Sequence, residues 1–140
     1  MMDANIFFHS ECDFMLSNQG MRSKWIVNSI LNESKRVGEL SFVFCTDEYL
    51  LEKNIQFLGH DAFTDIITFD YCDGEIINGD IFVSVERITE NANTFGVCFE
   101  DELDRVLIHG VLHLAGYHDK SKEEANTMQE KEDFYLSLRP

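Results

Sequence analysis

The apolar residues of this chain follow helical spacing in some stretches and strand-like alternation in others. Between residues 18 and 37 they recur every three or four positions, which predicts one long helix. Gly38 follows as a residue suited to end it. We expect the buried face of this helix to consist of Met21, Trp25, Ile26, Ile30 and Leu31.

Shorter apolar runs predict four strands. The first covers residues 6–8, and the second, 40–45, is apolar on both faces, as in a strand covered on two sides. Two further runs, 64–69 and 76–84, flank Asp73-Gly74, a turn signal that favours antiparallel pairing.

Polar residues mark where further helices begin and end. Asp47 can cap a short helix through residue 57, and Ser84 can cap a helix over 85–95 that Gly96 ends. Acidic residues 100–102 suit the start of a helix that carries His109. Ser121 and Glu124 form a capping box for the last helix, whose expected inward residues are Ala125, Met128 and Tyr135.

These elements predict an α+β fold, with a four-stranded mixed sheet packed by helices. The 140 residues are enough for one domain, residues 1–140, with its own hydrophobic core.

The most informative chemistry lies in the helix of His109 and His113. Side chains four residues apart on a helix project from the same face, and paired neutral imidazoles suit a divalent transition metal, zinc above all. Gly116 lets the chain fold back, which would bring Asp119, or alternatively His118, to the metal as a third ligand. Three protein ligands leave one zinc position for water, as in catalytic sites.

Two buried core histidines are the alternative to a metal site, because the surrounding helix is very apolar. Burying two imidazoles without partners is costly, however, and metal ligation satisfies them.

Metallopeptidases with this helix carry Glu directly after the first histidine as the general base. Here that residue is Gly110. A peptidase is therefore disfavoured, and the catalytic general base cannot be named from the sequence.

The run from His109 to Tyr117, His-Gly-Val-Leu-His-Leu-Ala-Gly-Tyr, resembles the YbeY family of bacterial metal-dependent endoribonucleases and rRNA maturation factors. The resemblance covers nearly the whole chain. It includes Asn54-Ile55-Gln56-Phe57, Asp61, Thr64-Asp65-Ile66-Ile67-Thr68-Phe69, Gly79-Asp80-Ile81, Met128 and Glu132.

This resemblance implies a zinc-dependent endoribonuclease with a metzincin-like metal helix and one Zn²⁺ per chain. Its implied role is ribosomal RNA maturation and small-subunit ribosome quality control, and its implied partner is ribosomal RNA or a ribosomal particle.

Two departures from the family pattern affect the site. The family usually ends its motif Tyr-Asp-His, with histidine as third ligand, whereas this chain has Tyr117-His118-Asp119. The residue at the ligand spacing is therefore Asp119, and carboxylates do bind zinc. We favour Asp119 as the third ligand. The alternative is that His118 ligates and Asp119 accepts a hydrogen bond beside it.

The second departure is Leu58, where the family carries an arginine that contacts RNA phosphate. Leucine cannot replace that bidentate contact, and His60 is the nearby residue that could supply part of the charge. Thr64 and Asp65 are candidate substrate-binding residues in the cleft wall opposite the metal, or residues that satisfy backbone groups at the strand end. Leu58 also motivates an alternative function, a ribosome-assembly factor with a mainly structural metal and little cleavage activity.

The composition of the chain indicates which classes of binding partner and which location to expect. The formal net charge of −15 argues against a general nucleic-acid binder and favours a ribosomal particle held partly by protein contacts. No apolar run approaches the ~20 residues of a membrane span, and the start lacks a basic signal region, so we expect no membrane partner and a cytoplasmic location. Four widely separated cysteines are expected to be reduced: Cys12, Cys45, Cys72 and Cys98.

Overall fold

A computed structural model describes residues 5–60 and 62–140. Asp61, part of the resemblance above, lies outside the described residues. The protein contains a four-stranded sheet, which consists of β1 (Asn5–Ser10), β2 (Arg36–Cys45), β3 (Ile66–Asp70) and β4 (Ile76–Ser84).

The strands lie in the order β1-β2-β4-β3, so the predicted mixed sheet is confirmed. β1 and β4 both run parallel to β2, whereas β3 runs antiparallel to β4. Gly74, with φ 59°, makes the turn between β3 and β4, as its left-handed backbone requires.

Five α-helices accompany the sheet in the described chain: α1 (Gln19–Asn32), α2 (Asp47–Lys53), α3 (Val85–Phe95), α4 (Phe99–Leu114) and α5 (Lys122–Ser137). A π-helical turn, Asn54–Leu58, extends α2. The predicted caps at Ser84 and Ser121 are confirmed, and Ser121 and Glu124 form the full capping box. In α2, Thr46 rather than Asp47 is the N-cap, because the Thr46 hydroxyl accepts from the Tyr49 N–H.

The core lies between the sheet and helix α4. Alternate residues of β2 and β4 point to this side and are almost fully buried, among them Leu40, Phe42 and Ile81. α4 packs against β3 and β4 on one side and against α3 and α5 on another. This position explains why residues 106–114 of α4 are mostly apolar. It also fixes the helix that carries the two histidines.

The predicted boundary between the first helix and the second strand is wrong. α1 ends at Asn32, Ser34 adopts a left-handed φ of 61°, and β2 already begins at Arg36. Gly38 therefore lies within a strand. A Cβ there would lie 2.0 Å from Asn78 Oδ1, and that oxygen accepts a hydrogen bond from the Glu39 N–H.

Some predicted inward residues are also wrong. Met21 and Leu31 are about half exposed, and Ala125 is exposed, whereas Arg22 is buried in α1 and pairs with Asp104 at 2.9 Å. The buried face of α1 is thus rotated toward Arg22, because this ion pair ties α1 to α4. None of the helices in the described ranges combines the length and apolarity needed to cross a membrane.

Candidate metal centre

Helix α4 presents His109 and His113 one turn apart, with their ring centroids 4.4 Å apart. Both rings are partly buried, so each needs a polar partner. Gly110, the residue directly after His109, is buried beside Ile66 of β3 and Ile81 of β4. The histidines and Gly110 therefore occupy different faces of α4.

Each histidine is held through its Nδ1 atom. His109 Nδ1 lies 2.6 Å from Glu132 Oε2, and His113 Nδ1 lies 3.0 Å from the Tyr117 carbonyl oxygen. A carbonyl and an ionised carboxylate only accept hydrogen bonds, so both Nδ1 atoms carry the proton and donate it. In the neutral rings, both Nε2 atoms then present lone pairs.

The two Nε2 atoms face each other at 2.9 Å, and Asp119 Oδ2 lies 3.5 Å from each of them. Ligands at ~2.0–2.2 Å from a tetrahedral ion are about 3.4 Å from one another. A cation among these three atoms would also remove the repulsion between the two lone pairs. The donor set therefore fits a metal ion with two nitrogens and one oxygen.

The loop after α4 brings Asp119 to the histidines. Gly116 has φ 108° and reverses the chain, as predicted. Tyr117 then anchors the loop, since its hydroxyl donates to Glu33 at 2.7 Å. Within the described residues, His109, His113 and Asp119 are the potential ligands that meet; His118 is exposed and lies outside this group.

The surrounding charges act differently on the two imidazoles. Burial lowers the pKa of both, but hydrogen bonding and charge from Glu132, with the charges of Asp119 and Asp65, raise the pKa of His109 overall. The pKa of His113 is lowered by burial and by the neighbouring His109. Negative charge is thus concentrated around His109, where it would also favour a bound cation.

Glu132 is a site residue to which the histidine motif assigns no role. It lies on α5, is buried, and accepts from Arg105 Nη1 through Oε1 at 2.8 Å. The signal was present in the sequence: Met128, Glu132 and Tyr135 lie on one helical face, so a glutamate stands in an inward stripe. A buried carboxylate requires a partner.

The predicted substrate-binding residues Thr64, Asp65 and His60 lie at separate places in the segment before β3. Asp65 directly precedes β3; burial raises its pKa, and the charge of His109 partly offsets that rise. The Thr64 hydroxyl donates to the Ile66 carbonyl at 3.2 Å, a strand-end contact. Leu58 and His60 lie exposed around the end of the π-helical turn, outside the histidine cluster.

A cleft of about 780 Å³ opens beside His109 and Asp119, between α4 and α5. Its two cations, Arg105 and Arg139, are paired with acidic side chains. Its acidic lining would repel phosphate unless a cation offset the charge; it comprises Asp101, Glu102, Asp119, Glu132 and Asp133.

Comparison with known proteins identifies the family of this chain. The family model described as endoribonuclease YbeY matches residues 10–138. The chain belongs to this family. The resemblance inferred from the histidine motif is therefore confirmed, and the name of the YbeY family describes enzymes that cleave RNA internally.

Individual relatives agree with the family model. A protein of Flavobacterium johnsoniae named endoribonuclease YbeY is 51% identical to this chain, over 95% of this chain and 96% of that protein. A protein of the same name from Christiangramia forsetii is 46% identical, over 99% of this chain and 96% of that protein. The solution structure of TM1509 from Thermotoga maritima has a TM-score of 0.68 and 29% identity, covering 94% of this chain and 87% of that one.

Proposed function

We propose that this protein is a zinc-dependent endoribonuclease that acts in ribosomal RNA maturation and small-subunit quality control. The observation that carries the proposal is the convergence of His109 Nε2, His113 Nε2 and Asp119 Oδ2 beside an open cleft, in a chain of the YbeY family. We propose His109, His113 and Asp119 as the metal ligands, one zinc per chain, and one domain for the whole chain.

Zinc is favoured by the donor set. Two imidazole nitrogens and a carboxylate oxygen are ligands that zinc takes readily, and three protein ligands leave one position for water or substrate. When bound, zinc supplies Lewis-acid polarisation of the phosphodiester and of the attacking water. With a carboxylate as third ligand, this polarisation should be weaker than in a three-histidine site.

The residues of the chain hold and shape this centre. Glu132 and the Tyr117 carbonyl orient the two imidazoles, and the Tyr117–Glu33 hydrogen bond restrains the loop of Asp119. Asp65, directly before β3, is proposed to position substrate at the metal centre. Thr64 and His60 are proposed to assist it from the same connecting segment.

The acidic character of the chain favours a ribosomal particle over free RNA. A net charge of −15 opposes phosphate binding except where local cations offset it. We therefore propose that protein contacts on the particle contribute to binding and that the enzyme works in the cytoplasm, without a membrane partner.

A ribosome-assembly factor with a mainly structural metal is the second candidate. The observation that favours it is Leu58, 44% exposed where the family has an arginine for RNA phosphate. Weak RNA contact would leave the metal centre with little substrate to cleave.

Cleavage of labelled small-subunit rRNA by the zinc-loaded protein tests the main proposal. We expect cleavage by wild type and by His118→Ala, loss of cleavage in His113→Ala, and loss on chelation that added Zn²⁺ reverses. Unchanged cleavage by metal-free His113→Ala would refute the proposal. Normal rRNA processing in a strain whose His113→Ala protein is folded would instead support the assembly factor.

A further inference from the structure

We propose that Glu132 is a positioning residue: it fixes the tautomer and orientation of His109, and Arg105 fixes Glu132 in turn. This inference rests on the metal site proposed above. It adds two residues, from α5 and α4, to the machinery that holds the metal.

The contact between Glu132 and His109 is close and enclosed. Glu132 Oε2 lies 2.6 Å from His109 Nδ1, and the glutamate is only 7% exposed. A carboxylate accepts but cannot donate, so this contact requires the proton on Nδ1 and leaves Nε2 free to ligate. Charge on the acceptor also raises the basicity of the ligating nitrogen.

Arg105 gives the two oxygens of Glu132 different roles. Its Nη1 donates to Oε1 at 2.8 Å, so Oε2 remains for His109. Held this way, the carboxylate stays an acceptor for the imidazole and does not turn toward the metal itself. Arg105 and His109 are four residues apart on α4, so one helix face carries both partners of Glu132.

An ion pair between Glu132 and Arg105 alone does not account for this arrangement. That pair uses only Oε1, whereas the shorter contact is made by Oε2 to the imidazole. Arg105 also has a second partner, Asp133, at 2.6 Å from Nη2 on the exposed side. Asp133 therefore provides a matched control, since it contacts Arg105 but not His109.

Zinc affinity, measured by competition with a chromophoric chelator, tests the inference. We expect Glu132→Ala to weaken Zn²⁺ binding about 10- to 100-fold, the usual effect of removing a partner of a ligating histidine. Glu132→Gln should fall between wild type and Glu132→Ala, because its amide oxygen still accepts from Nδ1–H without the charge. Asp133→Asn should stay within about threefold of wild type.

A spectroscopic readout separates positioning from general destabilisation. In the zinc-loaded wild type, ¹⁵N NMR of the His109 ring should show a protonated Nδ1 and a metal-bound Nε2. Glu132→Ala should lose or broaden this Nδ1–H signal, whereas Glu132→Gln should retain it, and His113 should be unchanged in both.

Wild-type Zn²⁺ affinity in the Glu132 variants, with the His109 signal intact, would overturn the inference. If Glu132→Ala does not fold, Glu132→Met, which is similar in size but offers no oxygen acceptor, decides the matter, and wild-type affinity in that variant refutes the role. Failure of wild type to bind Zn²⁺ would instead refute the proposed metal site, so the two failures are distinguishable.

Discussion

Gly110 of α4 packs so closely on Ile66 of β3 that a Cβ on the glycine would lie 2.8 Å from Ile66 Cδ1. The same Cβ would lie 3.1 Å from two carbon atoms of Ile81 in β4. Metallopeptidases carry their catalytic glutamate at this position of the motif. In this fold the position faces the apolar sheet, so a glutamate there would be buried away from the histidines.

Substitutions at Gly110 should therefore affect stability according to size and charge. Gly110→Ala should lower the free energy of unfolding by only about 1 kcal/mol, because its gain in helix propensity offsets part of the overpacking and the end of Ile66 can shift. Gly110→Glu should cost at least about 3 kcal/mol, because it buries an unpaired charge. Urea unfolding measures both; a stable Gly110→Glu variant with peptidase activity would contradict this account.

Glu33 should stabilise the loop that carries Asp119, in a pH-dependent way. Burial alone would raise the pKa of Glu33, but hydrogen bonds from Tyr117, Tyr135 and Lys131 outweigh burial and lower the pKa below its ordinary value of 4.5. The ionised form is thus favoured in the folded protein. Its contribution is fully present above the unfolded-state pKa and is lost as the pH falls through the folded-state pKa.

Glu33→Ala should consequently lower the free energy of unfolding by about 2 kcal/mol near neutral pH. The difference from wild type should shrink once the pH falls below about 4.5. Urea titrations of metal-free protein at several pH values measure this difference. A difference that stays constant or grows on acidification would show that the charge of Glu33 is not responsible.

Replacing Leu58 by arginine should strengthen RNA binding. Leu58 is 44% exposed, so the fold should tolerate a charged side chain there. We expect tighter binding and a plot of log affinity against log salt concentration that is steeper by about 1. Fluorescence anisotropy with metal-free protein measures binding without cleavage. Leu58→Gln is the uncharged control, and equal affinities of the two variants would exclude a phosphate contact at this position.

Local signals predicted the ends of several elements correctly. Ser84 and Ser121 cap their helices, and Gly96 ends α3 in a left-handed conformation. These features depend on hydrogen bonds within a few residues, so the neighbouring sequence contains the information that determines them.

The boundary between α1 and β2 depends on residues far away in the sequence. The first residues of β2, Arg36 and Val37, pair with Ile76 and Ile77 of β4, and this pairing extends the strand back to Arg36. A helical pattern over residues 18–37 cannot reveal a partner forty residues away. Tertiary pairing therefore overrode the local preference.

In the metal site, too, local spacing predicted some features, whereas others depend on contacts between distant residues. The spacing of His109, His113 and Asp119 predicted side chains that the structure brings together. Glu132 comes from another helix, and its contact with His109 depends on how α5 packs on α4. The sequence pattern marks Glu132 as an inward charge, but not which residue it meets.

Zinc analysis of purified wild type, Asp119→Ala and His118→Ala tests whether Asp119 completes a zinc site with His109 and His113. We expect close to one zinc per chain in wild type and His118→Ala, and loss of most of the zinc in Asp119→Ala, with all three proteins folded by circular dichroism. A folded wild type without zinc, or zinc retained in Asp119→Ala and lost in His118→Ala, would contradict this assignment.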